Sequence, residues 1–582
     1  MSVVRNLPHL VCDAMKNKFF TFAVVSTLAL GTLALSTQSV GANTPPVNGS
    51  ELSLVSRYFS GSGLGGAEIA AYDASSKRIF VTNGAKDSLD IVDVSNVKKP
   101  KLVKSVDLKA LGSSGIQSVA VRDGVVVVAA AGATKTATGK LFIMDSNGAM
   151  RKGLPSGLTV GALPDSVTIS KDGSYAVSAN EGEPQDYCLT NGVLSETSDP
   201  KGSISIVDLT ANVPTVKTVD FTAFADRKNA IIFAGGRVFG PGASVEQDLE
   251  PEYVAISDDS KTAYVTIQEN NLVATVDLAT ATITNLLGLG FKNHNVYNTG
   301  MDASDRDNAI NIRPLNVQGM YMPDAIAAVT AGGNTYMITA NEGDAREWPC
   351  LLGGTSTTTA EREDPRYADV GLDTNLTSSS VAGRLRVTVM PPAVVTGTKV
   401  TGSTKVTPAY SFGTRSFTVW KSNSIDGVFA ADIVYDSGDE IERVVARERP
   451  LLFNSEWNTS TGLVGAFEAR SPAKGPEPEG LAVGTAYGRT WMVLALERDS
   501  GLMLYDVTNP VKPMFRQYIN TSLPGGDTIL GTGGDVSPEG VLFVDGKDSP
   551  NGKPMFIVSY EVSGTVAFFE LTAPSPTSKK SK

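Results

Sequence analysis

Carboxylates recur in pairs along this chain of 582 residues. In each pair one acid opens an apolar run and a second acid closes the next run, sixteen to twenty-two residues later. Turn-rich spacers such as SKDGS, SDDSK and TAGGN separate the two runs, so each unit is typical of a β-hairpin with an acid at both open ends. The pairs are Asp165 and Glu181, Glu252 and Glu269, Asp324 and Glu342, Glu479 and Glu497, and Glu539 and Glu561.

Acids gathered in this way would need a positive partner. Two like charges about 6 Å apart at an effective dielectric of about 20 repel by roughly 3 kcal/mol, so a ring of them requires protons, arginines or metal ions. Calcium fits best, because it takes six to eight oxygen ligands in flexible geometry. A transition metal is poorly supported, since His294, interpreted as a loop residue, is the one histidine after the N-terminal segment. We expect calcium and no organic cofactor, with these predicted ligands: Asp165, Glu181, Glu252, Glu269, Asp324, Glu342, Asp344, Glu479 and Glu497.

A second cation candidate is the stretch DASDRDN, in which Asp302, Asp305 and Asp307 bring oxygen side chains close together. The glycine and the distal glutamate of an EF-hand are missing, so an ordinary polar loop is the alternative.

The paired acids have an architectural alternative as well. Acidic side chains that cap backbone amides in turns would give the same repeat without any ligand. That explanation suits the acids that end the third strands, which we place on the opposite rim: Asp93, Asp145, Asp208, Asp277 and Asp506. The first two units are weaker, with Asn83 and Gln117 where carboxylates are expected.

The elements that must position these acids are short strands. Seven units open on a recognisable first strand, and the openings are Glu68-Ile69-Ala70, Gln117-Ser118-Val119, Asp165-Ser166-Val167, Glu252-Tyr253-Val254, Asp324-Ala325-Ile326, Glu479-Gly480-Leu481 and Glu539-Gly540-Val541. Second strands, third strands and most fourth strands follow with β-branched alternation. This predicts an all-β, seven-bladed β-propeller of the WD40/YVTN-like kind, with a two-sheet sandwich or a β-helix as alternatives. The last unit lacks a fourth strand, and we expect residues 52–59 to supply it.

The domain organisation follows from the repeat. We predict a propeller over residues 51–571, with insertions at 185–200, 221–249, 290–320 and 350–410 that all emerge on the rim of the paired acids. Elaborated loops on a rigid frame are where function usually lies. Residues 572–582 are expected to be a disordered tail.

The N-terminus is predicted to be a targeting signal. Residues 1–42 contain a basic start, an apolar run from Phe19 to Leu35 and a small-residue exit, and 43–50 read as a linker. An uncleaved anchor is the alternative; after cleavage no membrane span remains, which predicts a secreted or periplasmic protein. In an oxidising compartment Cys188 and Cys350 could form a disulfide or remain two thiols.

Composition and missing motifs narrow the function. The formal net charge of −11 argues against nucleic acid as a partner and favours divalent cations. The sequence has no G-x-S-x-G, H-E-x-x-H or phosphate-binding loop motif. It contains only two histidines, so a Ser–His or Cys–His catalytic triad is poorly supported.

Several runs resemble a known family. FGPGASVEQDLEPEYVAIS, MDASDRDNAINI, MYMPDAIAAV, TANEGDARE, VYDSGDEIER, GPEPEGLAVG, LERDSGLMLYDV and SPEGVLFV look like the choice-of-anchor I domain family, over roughly residues 50 to 571. That family is similar to mesenchyme-specific cell-surface glycoproteins, and many bacterial members carry the label alkaline phosphatase. The resemblance implies a secreted propeller associated with calcium or mineral. The segment before GPEPEG is poorer in Asp and Asn than is usual in the family.

The sequence thus predicts a calcium-associated binding or scaffold module that acts through an acidic channel mouth on extracellular or cell-surface components. The alternative is a metal-dependent phosphoester hydrolase that uses the same groups. Its candidate catalytic residues are Glu342, Asp344, Arg346, Glu497 and Arg498. A purely structural interaction propeller is the third possibility.

Overall fold

The computed structural model describes most of the chain after the N-terminal segment. The described residues are 52–186, 188, 198–346, 351–352, 355–356, 363–392, 394–396, 405–422, 426–458 and 465–573. The predicted signal segment 1–42, the linker 43–50 and most of the predicted tail 572–582 lie outside them, as do parts of the insertions 185–200 and 350–410. Residues 48–582 form one compact unit.

Strands dominate the first half of the described chain. They are β1 (Leu52–Phe59), β2 (Ala70–Asp73), β3 (Arg78–Asn83), β4 (Ser88–Asp93), β5 (Lys101–Asp107), β6 (Ile116–Arg122), β7 (Val125–Ala130), β8 (Thr138–Asp145), β9 (Leu158–Ala162), β10 (Pro164–Ile169), β11 (Tyr175–Asn180), β12 (Ser203–Asp208), β13 (Val216–Asp220), β14 (Val254–Ile256), β15 (Thr262–Ile267), β16 (Leu272–Asp277) and β17 (Thr282–Gly288).

The second half continues in the same way. Its strands are β18 (Phe291–Asn293), β19 (Val317–Met320), β20 (Ile326–Ala331), β21 (Asn334–Ala340), β22 (Leu351–Leu352), β23 (Thr355–Ser356), β24 (Val394–Thr396), β25 (Lys405–Thr407), β26 (Ala409–Ser411), β27 (Phe417–Lys421), β28 (Gly427–Ala430), β29 (Asp432–Asp436), β30 (Pro478–Ala486), β31 (Arg489–Leu496), β32 (Gly501–Asp506), β33 (Met514–Asn520), β34 (Pro538–Val544), β35 (Met555–Tyr560) and β36 (Thr565–Leu571).

Helices are few and short, and they lie in the connections between sheets. The α-helices are α1 (Lys228–Phe233), α2 (Val245–Asp248), α3 (Tyr367–Val370) and α4 (Glu440–Glu448), and 3-10 turns cover Lys109–Leu111, Phe221–Phe224 and Pro450–Leu452. The predicted all-β class is confirmed. Within the described residues, none of the helices combines the length and apolar character needed to cross a bilayer.

The larger sheets of the described chain each contain four strands in hairpin order. Six of them are β2-β3-β4-β5, β6-β7-β8-β9, β10-β11-β12-β13, β14-β15-β16-β17, β20-β21-β27-β29 and β30-β31-β32-β33, and β28 adds a parallel fifth strand beside β17. We call these sheets 1 to 6. In sheet 7 the order is β34-β35-β36-β1. The predicted N-terminal closing strand is therefore present, and β1 pairs antiparallel with β36 from Leu52 opposite Leu571 to Phe59 opposite Thr565.

Neighbouring sheets pack face to face around their first strands. The first strands contact one another in the order β2, β6, β10, β14, β20, β30, β34, and β34 returns to β2. An apolar layer fills each interface between neighbouring sheets. Second strands are largely buried because they are covered on both faces, and β7, whose sequence is VVVVAA, is apolar throughout. Outer strands such as β5 are exposed and carry lysines, which discourages edge-to-edge pairing.

Candidate functional site

The hairpin registers place the paired acids at one edge of each sheet. Pro164 lies opposite Asn180, Pro478 opposite Leu496 and Pro538 opposite Tyr560. The acid that follows each proline thus lies beside the acid that follows the second strand. A β-bulge interrupts the ladder at each of these positions, and bulges re-aim side chains at the ends of strands.

Three of these carboxylates converge closely. Glu342 from sheet 5 and Glu479 and Glu497 from sheet 6 are buried, and each offers a carboxylate oxygen within 4.8 Å of the others. Calcium–oxygen bonds are about 2.3–2.6 Å long, so one ion could contact all three oxygens. We call Glu342, Glu479 and Glu497 the carboxylate triad. Among the described residues, the carboxylate triad is the one group of Asp, Glu, His or Cys side chains whose ligand atoms lie this close together.

Basic side chains contact two members of the triad. Lys474 Nζ donates to Glu342 Oε1 and, at 3.1 Å, to Asp344 Oδ1. Gln268 Nε2 donates to the other oxygen of Glu342 at 2.9 Å. Arg498 Nη1 lies 2.8 Å from Glu497 Oε1.

Glu477 contacts the basic side chains that lie beside the triad. Its carboxylate lies 3.1 Å from Lys474 Nζ and 3.2 Å from Arg498 Nε, and it also accepts a 2.7 Å hydrogen bond from Arg470 Nε. Burial alone would raise the pKa of Glu477, but Arg470, Lys474 and Arg498 hold it well below its ordinary value. Glu477 is therefore a fixed anion that orients the cations beside the triad.

Glu479 differs from its two partners in the triad. It is 3% exposed, and its Oε2 atom is buried without a hydrogen-bond partner. Burial, followed by repulsion from Glu497, Glu539 and Glu342, raises its pKa well above the usual range. An unsatisfied buried carboxylate is costly unless it is protonated or bound by a cation.

The acids of sheet 7 extend this negative region. Burial, with repulsion from Glu539 and Glu497, raises the pKa of Glu561 to about 8. Burial also raises the pKa of Glu539, with Glu342 among the repelling groups. These mutual effects place the hairpin acids of sheets 5, 6 and 7 near one another.

The acids of sheets 3 and 4 form a second group. Burial, followed by repulsion from Glu269, Glu181 and Asp324, raises the pKa of Glu252 well above its usual range. Burial also raises the pKa of Glu269 to about 8, although Arg346 acts in the opposite direction. Asp324 joins the two groups, since burial and then Glu342 raise its pKa. Asp165 adds to the repulsion at Glu252, Asp324 and Glu539.

Tyr253 lies where carboxylates from three sheets approach each other. Burial, followed by Asp324, Glu539 and Asp165, raises the pKa of its hydroxyl. Tyr253 also borders a cavity of about 200 Å³ among the first strands β2, β6, β10 and β34. Tyr253 thus joins this cavity to the neighbouring hairpin acids.

Arg346 does not turn toward the triad. It is 2% exposed, and its guanidinium donates to Asp248 Oδ1 at 2.6 Å and lies 3.1 Å from Glu250 Oε2. It also stacks on Phe239, 4.7 Å from the ring centroid. These contacts make Arg346 a structural cation that ties α2 to the segment after β21, rather than the exposed anion ligand that the hydrolase interpretation requires.

The predicted cation loop is bonded both within itself and to a neighbouring segment. Asp302 accepts from the backbone amides of Ser304 and Asn311 at 3.2 and 2.6 Å. Asp305 accepts from Arg384 Nε at 2.7 Å, and Asp307 accepts from Asn311 Nδ2 at 3.2 Å. Burial and Glu442 raise the pKa of Asp302 to about 6. The bonds of Asp302 and Asp307 are those of a turn, and Asp305 bonds an arginine outside it. The cation-binding role of the loop stays a prediction.

Two interpretations of single residues are confirmed. His294 lies in the turn after β18, where its Nδ1 is 2.6 Å from Thr299 O and burial lowers its pKa well below the usual range. The acids that end the third strands cap turn amides, as Asp93 does for Ser95 and Asp277 for Thr280.

The disulfide question is answered in part. Cys188 is disulfide-bonded. Cys350 lies outside the described residues.

Sequence reasoning missed Lys474, Glu477 and Gln268. Lys474 and Glu477 stand in the run KGPEPEG, directly before the first-strand acid Glu479. A basic residue next to an acidic strand opening was the available signal. Gln268 precedes Glu269 at the end of β15, and nothing in its type indicates that it would bond an acid 74 residues away.

The fold and the site define a class: an all-β protein whose sheets pack around their first strands and carry buried carboxylates at the ends of their hairpins. The chain belongs to the choice-of-anchor I domain family, whose model matches residues 68–510. It is similar to Gigasin-3a of Magallana gigas, with 30% identity over 171 residues that are 28% of this chain and 57% of that protein. It is also similar to the mesenchyme-specific cell surface glycoprotein of Strongylocentrotus purpuratus, with 28% identity over 289 residues, 47% of this chain and 37% of that protein.

The chain thus spans about half or less of the length of these curated relatives. Solved structures with a similar arrangement include the Myceliophteria thermophila Cps50 (Swd1) β-propeller domain, at a TM-score of 0.42 and 6% identity over 90% of this chain and 100% of that one. Hydrazine synthase of Kuenenia stuttgartiensis matches at a TM-score of 0.41 and 12% identity, over 88% of this chain and 97% of that one.

Proposed function

We propose that this protein is a secreted or surface-exposed binding module that holds calcium at the carboxylate triad. The observation that carries the proposal is the convergence of Glu342, Glu479 and Glu497 within 4.8 Å, with the buried Oε2 of Glu479 left without a hydrogen-bond partner. A divalent cation would satisfy that oxygen and offset the repulsion among the three acids.

The proposed scaffold is a seven-bladed β-propeller. Support comes from the four-stranded sheets, from the cyclic order of contacts among their first strands and from the pairing of β1 with β36 in sheet 7. In such a ring the hairpin acids of successive blades surround one opening, which would be the acidic channel mouth predicted from the sequence.

The proposed location is outside the cytoplasm. A disulfide at Cys188 favours an oxidising compartment, and the sea-urchin relative is named as a cell surface glycoprotein. The predicted signal segment agrees with this location. The partners we propose are divalent cations and, through them, extracellular or cell-surface components.

The phosphoester hydrolase is the weaker candidate. Arg346 is bonded to Asp248 and Glu250, and Arg498 is bonded to Glu477 and Glu497, so both cations already have anionic partners inside the protein. A hydrolase would need one of them to release its partner before it could hold a phosphate. Turnover of a phosphomonoester by the calcium-loaded protein, abolished by Glu342→Gln, would favour the hydrolase instead.

The test is calorimetric titration of calcium into chelator-treated full-length protein. We expect saturable binding in the wild type, and about a hundredfold weaker binding in Glu479→Gln because one charged ligand is lost. Glu570→Gln is the matched control: Glu570 lies opposite Met555 at the far end of the β35–β36 hairpin, five pairs from Thr565 and Tyr560, and so roughly 16 Å from the acid end. Absence of calcium binding in the wild type, or equal loss in both variants, would refute the proposal.

A further inference from the structure

Lys474 occupies a distinctive place beside the triad. Its ammonium contacts Glu342, Asp344 and Glu477, and the lysine is only 8% exposed. One of these three carboxylates, Glu342, is also a member of the triad. The Glu342 carboxylate therefore serves both an internal cation and the proposed metal site.

The backbone that carries Lys474 is fixed on both sides. Arg415 Nη2 donates to Ser471 O at 2.6 Å and to Ala473 O at 3.1 Å. Gly475 N donates to Arg470 O at 3.0 Å, and Arg470 itself is bonded to Glu477. The segment cannot shift readily, whereas the four-carbon stem of a lysine side chain can change rotamer. Movement of the ammonium therefore does not require movement of the loop.

Two other carboxylates can pair with the Lys474 ammonium after it leaves Glu342. Asp344 Oδ1 and Glu477 Oε2 each lie 3.1 Å from Lys474 Nζ. A cation bound by the triad would compete with the ammonium for Glu342 Oε1, because Gln268 Nε2 already donates to Oε2. The ammonium and the metal ion would also repel each other at this distance.

We propose that Lys474 is a tethered competitor for the cation site, which makes it a specificity-determining residue; this inference rests on the proposed function. A divalent ion takes Glu342 from the ammonium, which stays with Asp344 and Glu477. A monovalent ion brings no more charge than the ammonium that it would replace, and it gains nothing from the exchange. Lys474 thus lowers the affinity for every cation and excludes monovalent ones.

The experiment compares calcium and potassium binding by full-length wild type, Lys474→Gln and the control Lys553→Gln. Lys553 is a surface lysine paired with Glu570, so its loss removes the same charge away from the site. We expect Lys474→Gln to bind calcium roughly tenfold or more tightly, since a repelling charge is removed, and potassium to compete measurably in that variant alone. Unchanged or weaker calcium binding in Lys474→Gln, beside normal binding by the wild type, would overturn the inference.

The outcomes distinguish calcium binding at the triad from competition by Lys474. A wild type that binds no calcium refutes the proposed function itself. Should Lys474→Gln fail to fold, the crystal structure of calcium-bound wild type decides: Lys474 Nζ beyond hydrogen-bond distance of Glu342 supports the exchange, and a retained contact overturns it.

Discussion

Replacement of Glu479 by glutamine should have opposite effects on stability without and with calcium. In chelator the wild type keeps a buried, unpartnered carboxylate within 4.8 Å of two others. Each such pair repels by about 3 kcal/mol at an effective dielectric of about 20, and Lys474 and Arg498, which contact Glu342 and Glu497, offset part of this. We therefore expect Glu479→Gln to raise the free energy of unfolding in chelator by about 1–2 kcal/mol at pH 8.

Calcium should reverse the difference. At one hundred times the dissociation constant, a ligand adds about 2.7 kcal/mol to the free energy of unfolding, whereas a hundredfold loss of affinity leaves about 0.4 kcal/mol. The assay is urea denaturation of both proteins in chelator and in calcium, with Glu570→Gln as the control. If Glu479→Gln shifts stability by the same amount and sign in both conditions, the carboxylate serves the fold alone and the reasoning is refuted.

Three further predictions concern pH, closure and the buried arginine. Glu269 and Glu561 have pKa values raised to about 8 from 4.5, so the folded protein holds more protons than the unfolded chain between these two pH values. In chelator the free energy of unfolding should therefore fall from pH 5 to pH 8 by about 1.4 kcal/mol per pH unit for each group. Calcium should reduce this slope, as measured by urea titrations at each pH. Arg57→Ala removes the guanidinium whose Nε contacts both carboxylate oxygens of the buried Asp535. It should cost about 1–3 kcal/mol, with faster amide exchange in β1 by mass spectrometry, and unchanged exchange would contradict a closing role. Arg346→Met should destabilise by about 3–5 kcal/mol, because Asp248 and Glu250 lose a buried cation, and a stable variant would show that the pair is dispensable.

The sequence was sufficient to predict the hairpins because their signal is local. Alternating apolar residues, turn residues and an acid at each open end identify β10–β11 and β30–β31 from short stretches. The closing role of residues 52–59 followed from a missing fourth strand, and its register with β36 agrees. Sheet order was predictable for the same reason, since sequential strands pair.

Of the residues at the candidate site, only the acidic ones could be predicted from the sequence. Lys474 reaches Glu342 across 132 positions, and this contact depends on how the connection after α4 folds over the first strands. Arg346 follows a second-strand acid in sequence, but its side chain turns to Asp248, which is 98 positions away. Long polar side chains choose partners by tertiary geometry, which no local pattern encodes. Acids at strand ends are fixed by register instead, so their positions could be inferred.

The most direct measurement is anomalous diffraction from crystals of the calcium-loaded protein, collected at long wavelength. We expect a calcium peak within about 2.3–2.6 Å of carboxylate oxygens from Glu342, Glu479 and Glu497. A fully loaded crystal with no peak at the triad, and with Glu479 Oε2 bonded to water or to protein instead, would contradict it.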